Sequence, residues 1–372
     1  MAEQKLMKHG LSTDAVKRIC TVLADIIDDF PRQPFQNEAT QGLERLELKQ
    51  RVDYLITVLN HYLPEDFHKT AAILLQVKQH WDWGDEEDAL SSFAAWPLID
   101  YVAVYGINHP QLSLNVLAEL TSLFSAEFAI RRFIDEHFQL THKTLLNWSH
   151  NPDEHVRRLA SEGIRPRLPW GKRLKTLCDN PEPIFPILEV LKDDPSLYVR
   201  KSVANNLNDI SKDNPDKVIS LCRQWQYDAS PEREWIIRHA LRSLVKQGRQ
   251  DVFPLLGYSE TVDVIIKSFN LRSKRVEMGD SLEFELILSS SSSQIQKLVL
   301  DYKIHHVKAN GSTISKVFKW KNITLHENQP HSLNKLHPFK IITTRKYYPG
   351  EHAIEVLLNG QSMAYQTFDL IF

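Results

Sequence analysis

The sequence is short of cysteine, of long apolar runs and of excess charge, and each shortage removes a class of protein. Its 372 residues include three cysteines, Cys20, Cys178 and Cys222. They are odd in number, far apart and form no C-x-x-C pair, so neither a disulfide framework nor a zinc site is indicated. No apolar run approaches the roughly 18 residues that span a bilayer. The start, Met1-Ala2-Glu3-Gln4-Lys5-Leu6, lacks the apolar stretch of a signal peptide. The formal charge of −2 gives no global pull toward nucleic acid or membranes. Any nucleic-acid site must be a local patch. A reducing cytoplasm, with no membrane contact, is the expected setting. The 16 histidines, His305-His306 among them, show no ligand spacing and are assigned no role.

What is present suits soluble globular protein: 42% hydrophobic and 25% charged residues, with room for two domains. Helical periodicity dominates the first two-thirds. Val52, Leu55, Ile56, Val58, Leu59 and Tyr62 mark one face, stopped by Pro64; Leu112, Val116, Leu117, Leu120, Leu123 and Phe124 mark another. Breakers such as Asn108-His109-Pro110, Asn151-Pro152, Asp194-Pro195 and Ser230-Pro231 suit a turn followed by a helix start. A phrase recurs within this array: Ile130-Arg131-Arg132, Val156-Arg157-Arg158, Val199-Arg200-Lys201 and Ile237-Arg238-His239. Its first arginines are 26, 43 and 38 residues apart, and the last two intervals fall near the period of HEAT-type helix pairs. Such arginines either serve a common concave surface or merely lie over the neighbouring repeat. Asp85-Glu86-Glu87-Asp88, beside Trp81 and Trp83, reads as a solvated loop on a packed aromatic anchor.

After Gly257 the period changes. Val262–Ile266, Leu282–Leu288, Leu298–Ile304, Ser315–Trp320, Ile354–Leu358 and Tyr365–Leu370 alternate as strands. Asn310-Gly311 and Asn359-Gly360 supply hairpin turns. Six or seven strands predict an immunoglobulin-like sandwich. The expected architecture is mainly α: a HEAT-like solenoid over residues 1–258, then an all-β sandwich over 262–372.

The segment from Glu154 to Lys175, EHVRRLASEGIRPRLPWGKRLK, is the least ordinary. A helix carrying Arg157, Arg158 and Glu162 should end near Gly163, because Pro166 and Pro169 follow. Arg158 and Glu162 are four residues apart and share a face. From Arg157 to Lys175 seven cations, Arg157, Arg158, Arg165, Arg167, Lys172, Arg173 and Lys175, stand against the single acid Glu162. Together they form a phosphate-binding patch. Trp170, in a Pro-bounded loop, is placed to stack on a base. Taken alone, an i, i+4 Arg–Glu pair is usually a solvated bridge and a lone Trp is usually core.

The string Val156-Arg157-Arg158-Leu159-Ala160-Ser161-Glu162-Gly163, continuing Arg165-Pro166-Arg167-Leu168-Pro169-Trp170, resembles the signature of the AlkC family of DNA alkylation-repair glycosylases. The resemblance implies HEAT-like repeats with, in one branch, a C-terminal immunoglobulin-like domain. It implies hydrolysis of the N-glycosidic bond of small cationic lesions, 3-methyladenine and 3-methylcytosine, in double-stranded DNA. The lesion would be engaged from the minor groove without full flipping. By the same resemblance Glu162, Glu127 and Asp209 are the catalytic acids, and Trp170 and Arg158 meet the substrate. Glu127 can also be read as a bridge to Arg131, and Asp209 as a helix-end charge. Arg157, Arg165, Arg167, Lys172 and Arg173 are expected on DNA. The related AlkD proteins use a Trp and an Asp four residues apart, a spacing matched by Trp96 and Asp100, with Pro97 intervening. Where AlkD has a second lesion-side Trp, this chain offers Asn205 or Asn206.

The chemistry agrees with that reading. An N3-methylated base already carries positive charge and leaves without a strong general acid. Stabilising oxocarbenium character and positioning a water are tasks for carboxylates. Trp170 adds cation–π attraction, and Arg158 fixes a phosphate or holds Glu162. A monomer without metal or organic cofactor is expected. The rival readings are a non-catalytic HEAT-repeat scaffold binding nucleic acid or protein, and an AlkD-like enzyme for bulky lesions.

Overall fold

The computed structural model describes residues 6–85, 87–342 and 345–372. The first five residues and Glu86 of the acidic loop lie outside that range. Among the described residues no helix is long and apolar enough to cross a membrane. Helices and short 3-10 turns follow one another from Met7 to Leu255, and strands begin at Val264.

The helices start where their caps dictate. The Asp153 carboxylate accepts from the His155 amide at 2.8 Å, and the Ser196 hydroxyl accepts from the Tyr198 amide at 3.2 Å. Each cap satisfies one of the orphan donors of a first turn and contributes about 1 kcal/mol. Apolar residues at helical spacing then face inward. In Leu48–Tyr62 these are Val52, Leu55, Ile56, Val58 and Leu59, all buried. The second expected helix is shorter than its pattern: Pro110–Leu120 ends at Thr121, whose hydroxyl accepts from the Ala126 amide at 3.2 Å. Leu123 and Phe124 therefore pack from a turn.

The recurring Val-Arg phrase has a structural explanation in two of its copies. Arg157 Nη1 donates to the carbonyls of Asn151 and Pro152 at 2.9 and 2.8 Å. Arg200 Nη1 donates to the carbonyls of Asp194 and Pro195 at 2.7 and 2.8 Å. Each guanidinium thus ties down the Asn-Pro or Asp-Pro turn that precedes its own helix. The two helices, Glu154–Gly163 and Leu197–Ile210, pack through small residues. Ser161 and Ser202 share a hydrogen bond of 2.7 Å, and Asn206 Nδ2 donates to the Ser161 carbonyl at 2.7 Å.

The β-region has eight strands: β1 Val264–Leu271, β2 Arg275–Glu277, β3 Ser281–Ser290, β4 Gln296–Val307, β5 Thr313–Leu325, β6 His331–Pro338, β7 Gly350–Leu358 and β8 Gln361–Ile371. They form a sheet ordered β1-β3-β6 and another ordered β2-β8-β7-β4-β5; every pairing is antiparallel except β2 with β8. The strict alternation of β3 sends Leu282, Phe284, Leu286 and Leu288 inward to meet Leu300, Ile304, Ile354, Val356 and Leu370 of the other sheet. Strands β2 and β6 were not among those expected. The first is three residues long, and the second is largely polar. The turn at Asn359-Gly360 has φ of 44° and 74°, as a two-residue hairpin requires. Gly360 also meets backbone: a Cβ there would stand 2.2 Å from the Gly248 Cα.

Two compact units emerge. One comprises Met1–Asn214 with Ser230–Ile236; the other comprises Pro215–Ala229 with Ile237–Phe372, so helices around Pro215–Gln226 and Arg242–Lys246 group with the strands.

Candidate active site

The helix Glu154–Gly163 has a charged face and a buried one. It ends at Gly163, where a Cβ would stand 2.5 Å from Cγ2 of Ile130. The loop beyond is held by Arg131. That buried guanidinium donates to the carbonyls of Gly163 at 3.0 Å, Arg165 at 2.7 Å and Lys172 at 2.6 Å. Burial lowers its pKa to about 10, with neighbouring carboxylates partly opposing the shift. Arg131 therefore fixes the loop that carries Arg165 and Trp170, and the Glu127–Arg131 bridge is replaced by a different pairing.

Glu127 pairs instead with Arg158, which also donates to Ser125 at 2.5 Å. The other side of Arg158 reaches Glu162 at 3.3 Å. Glu162 accepts from Arg165 at 2.6 Å, and Arg165 donates to Asp209 at 2.8 Å. Lys212 meets the second Asp209 oxygen at 2.8 Å. Acid and base thus alternate through Glu127, Arg158, Glu162, Arg165 and Asp209. Burial works against the charge of both arginines, but Glu162 with Glu127, and Glu162 with Asp209, hold them above the usual guanidinium range. Buried charges of one sign would be prohibitive; alternation makes each the partner of the next. The Tyr198 ring lies 5.0 Å from the Arg158 guanidinium, fixing its plane.

Three members of this row line a cleft of about 270 Å³. Glu127, Glu162 and Arg165 contribute polar atoms, and Phe93, Trp96, Phe124, Phe128 and Trp170 form aromatic walls. Trp96 stacks on Phe124 at 5.0 Å and on Phe128 at 5.3 Å. Its indole N–H donates to Asp100 at 2.7 Å. Pro97 falls in the first turn of Trp96–Tyr105, so the helix is intact and the four-residue spacing is realised. Burial pushes the Asp100 carboxyl up to about 7, against the lowering effect of the Trp96 hydrogen bond. Trp170 is 58% exposed at the mouth, with φ of 62°. Cationic and aromatic matter would be welcome here: the walls offer π faces and the row offers carboxylates.

Three of the residues expected on DNA are paired with acids. Arg157 makes a fork to Asp194 at 2.6 and 3.1 Å; Arg167 makes one to Asp213 at 2.6 and 2.5 Å; and Arg165 is buried between acids. A guanidinium whose donors are spent on a carboxylate is a poor phosphate ligand. Lys172 reaches Asp135 at 2.6 Å yet is 73% exposed, and Arg173 is exposed. Asn206 is fully buried on the Ser161 carbonyl and faces no cleft; Asn205 is half-buried outside the cleft lining. Asp209 is part of the row of charges, not a solvated helix-end charge. Sequence reasoning missed Ser125, Tyr198, Arg131 and the phenylalanines. Of these only Arg131, in the repeated phrase, carried a signal. Elsewhere, Trp81 is buried beneath Arg18 at 5.1 Å, as an anchor should be, and Trp83 is exposed. Among the described residues, no three His, Cys, Asp or Glu side chains are grouped to hold a metal ion.

The helical region that carries this cleft and the β-sandwich that follows it each match a known family. The model described as "DNA alkylation repair enzyme" matches residues 124–244, and that described as "Uncharacterised protein YhaZ, C-terminal Ig-like domain" matches 265–372. The chain is 40% identical over 358 residues to the "Uncharacterized protein YhaZ" of Bacillus subtilis (strain 168), covering 95% of this chain and 96% of that one. It is similar, at 37% identity and a TM-score of 0.91, to the solved structure of Pseudomonas fluorescens alkylpurine DNA glycosylase AlkC bound to DNA containing an abasic site analog. That match covers 99% of this chain and 100% of the other. The chain belongs to the AlkC family of DNA alkylation-repair glycosylases.

Proposed function

We propose that the protein hydrolyses the N-glycosidic bond of small cationic bases, 3-methyladenine and 3-methylcytosine, in double-stranded DNA. The observation that carries this reading is the position of Glu162, bracketed by Arg158 and Arg165 in the lining of an aromatic cleft. A methylated base that is already cationic needs no acid to leave. Trp170 and the wall aromatics attract its charge, while Glu162, Glu127 and Asp209 stabilise positive character developing at the sugar and orient water. The two arginines keep those acids aimed. The reading also takes the helical region, to about residue 258, as HEAT-like repeats, supported by the equivalent roles of Arg157 and Arg200. The β-sandwich from about residue 262 is taken to do no chemistry. The protein acts as a monomer and without a metal.

The test is incubation with duplexes bearing 3-methyladenine or 3-methylcytosine, followed by chromatography of released base with and without chelator. Release of both is expected. Glu162→Gln should slow it at least tenfold, about 1.4 kcal/mol of barrier, with DNA affinity kept. DNA binding with no release from any methylated duplex would leave a scaffold instead.

A further inference from the structure

Trp170 stands in a backbone conformation that a bulky side chain rarely adopts, on a loop exposed at the cleft mouth. Arg131 holds that loop at Gly163, Arg165 and Lys172 but makes no bond to residue 170 itself. The Trp170 carbonyl is instead held from another part of the chain: Lys49 Nζ donates to it at 2.7 Å. The same ammonium lies 5.8 Å from the centre of the Phe128 ring, which also lines the cleft. One cation therefore touches both the loop that carries Trp170 and the stack of Phe128 on Trp96.

Where Lys49 emerges is itself fixed. The helix Leu48–Tyr62 begins in a capping box, with the Glu47 amide donating to Gln50 at 2.9 Å. One turn further on, buried Arg51 donates to the carbonyls of Lys8 and Leu11, both at 2.9 Å, and of Leu46 at 3.0 Å. An anchored helix start makes a flexible lysine into a reproducible tether. Lys49 is exposed, so the tether is not needed to fill a core.

We infer that Lys49 is a positioning residue for Trp170, holding its backbone so that the indole stays over the cleft it shares with Phe128 and Trp96. The assignment rests on the glycosylase reading above, but the hold on Trp170 is independent of it. Lys49 touches no reacting atom; it acts through the tryptophan.

The test uses the full-length protein labelled with 5-fluorotryptophan, the Trp170 fluorine resonance being identified by Trp170→Phe. Lys49→Met should shift or broaden that resonance, and Lys49→Arg, which keeps charge and donor, should restore it. On 3-methyladenine duplex at saturating enzyme, Lys49→Met should lower the single-turnover rate about fivefold, with half-saturation and its salt slope unchanged. In a Trp170→Phe background the same change should add no further loss. An unmoved Trp170 resonance overturns the inference. So does a loss additive with Trp170→Phe, or a reduced salt slope, which would make Lys49 a phosphate ligand. If the unsubstituted protein releases no base, the glycosylase reading fails while the fluorine spectrum still decides whether Lys49 holds Trp170.

Discussion

Glu162 and Asp209 come from different helices yet are held by the same guanidinium, Arg165 meeting the first at 2.6 Å and the second at 2.8 Å. Removing that cation leaves Glu162 only the longer contact to Arg158 and Asp209 only the half-exposed Lys212, whereas removing either acid leaves Arg165 the other. Arg165→Met should therefore destabilise the protein by about 3 kcal/mol, more than Glu162→Gln or Asp209→Asn alone. Adding Glu162→Gln and Asp209→Asn to Arg165→Met should recover part of the loss. Urea unfolding of the four variants measures this, and a recovery of zero would mean that the row is not electrostatically coupled.

The cations differ in availability. Arg173 and Lys175 are exposed, whereas Arg157 is spent on buried Asp194. Arg173→Ala with Lys175→Ala should flatten the dependence of DNA affinity on salt, by about 0.9 in slope for each phosphate no longer neutralised. Arg157→Ala should leave the slope alone and lower the melting temperature. A salt titration that ranks them the other way would move the DNA to a different face.

Asp100 gives a pH signature. Its folded pKa is raised to about 7, so the folded protein keeps a proton that the unfolded chain gives up near 3.8. The resulting stability is complete below the lower value and is lost as pH rises through the upper. Between pH 5 and 8 the unsubstituted protein should lose about 2–3 kcal/mol that Asp100→Asn does not lose. Equal pH profiles for the two proteins would refute the assignment.

The β-sandwich should respond with the opposite sign. Burial lowers His306 to about 3 and His337 to about 4; Arg345, His352 and Lys316 add to the effect on His306 or His337. These groups stabilise the fold above pH 6.5, and that stability is lost as pH falls toward their folded values. At pH 5 each costs about 2 kcal/mol. Amide exchange in β4 and β6 should therefore quicken between pH 7 and 5, after correction for intrinsic rates. His306→Gln with His337→Gln should flatten the response.

Local signals were legible and long-range pairings were not. Asn359-Gly360 announced its hairpin because a two-residue turn imposes its own residue types, and Asn310-Gly311 marked the longer turn between Val307 and Thr313. Arg158 and Glu162 could be paired because four residues make one helical turn. By contrast, Arg157 and Arg158 are adjacent and chemically identical, yet one ends on Asp194 and the other on Glu127. Helix rotation decides which, and nothing in the local string encodes the partner. The seven-cation patch therefore overstated the exposed charge. The wall of Phe93, Phe124 and Phe128 was invisible for a related reason: apolar residues that line a cleft have the spacing of those that fill a core. In β6, Pro338 and alternating polar residues obscured an edge strand that buries few side chains.

The division of the chain into Met1–Asn214 with Ser230–Ile236, and Pro215–Ala229 with Ile237–Phe372, bears on ancestry and engineering. The backbone leaves the first unit, returns to it and leaves again, so no single cut yields both units whole. A break at the helix-to-strand change would strip Gly248 from Gly360 and Gln250 from the Asn359 carbonyl, which it meets at 2.9 Å. The β-sandwich is therefore ill suited to travel as a cassette with one clean junction. A transplant would have to carry the helices around Pro215–Gln226 and Arg242–Lys246 with it, and recombination within the family should respect that larger block.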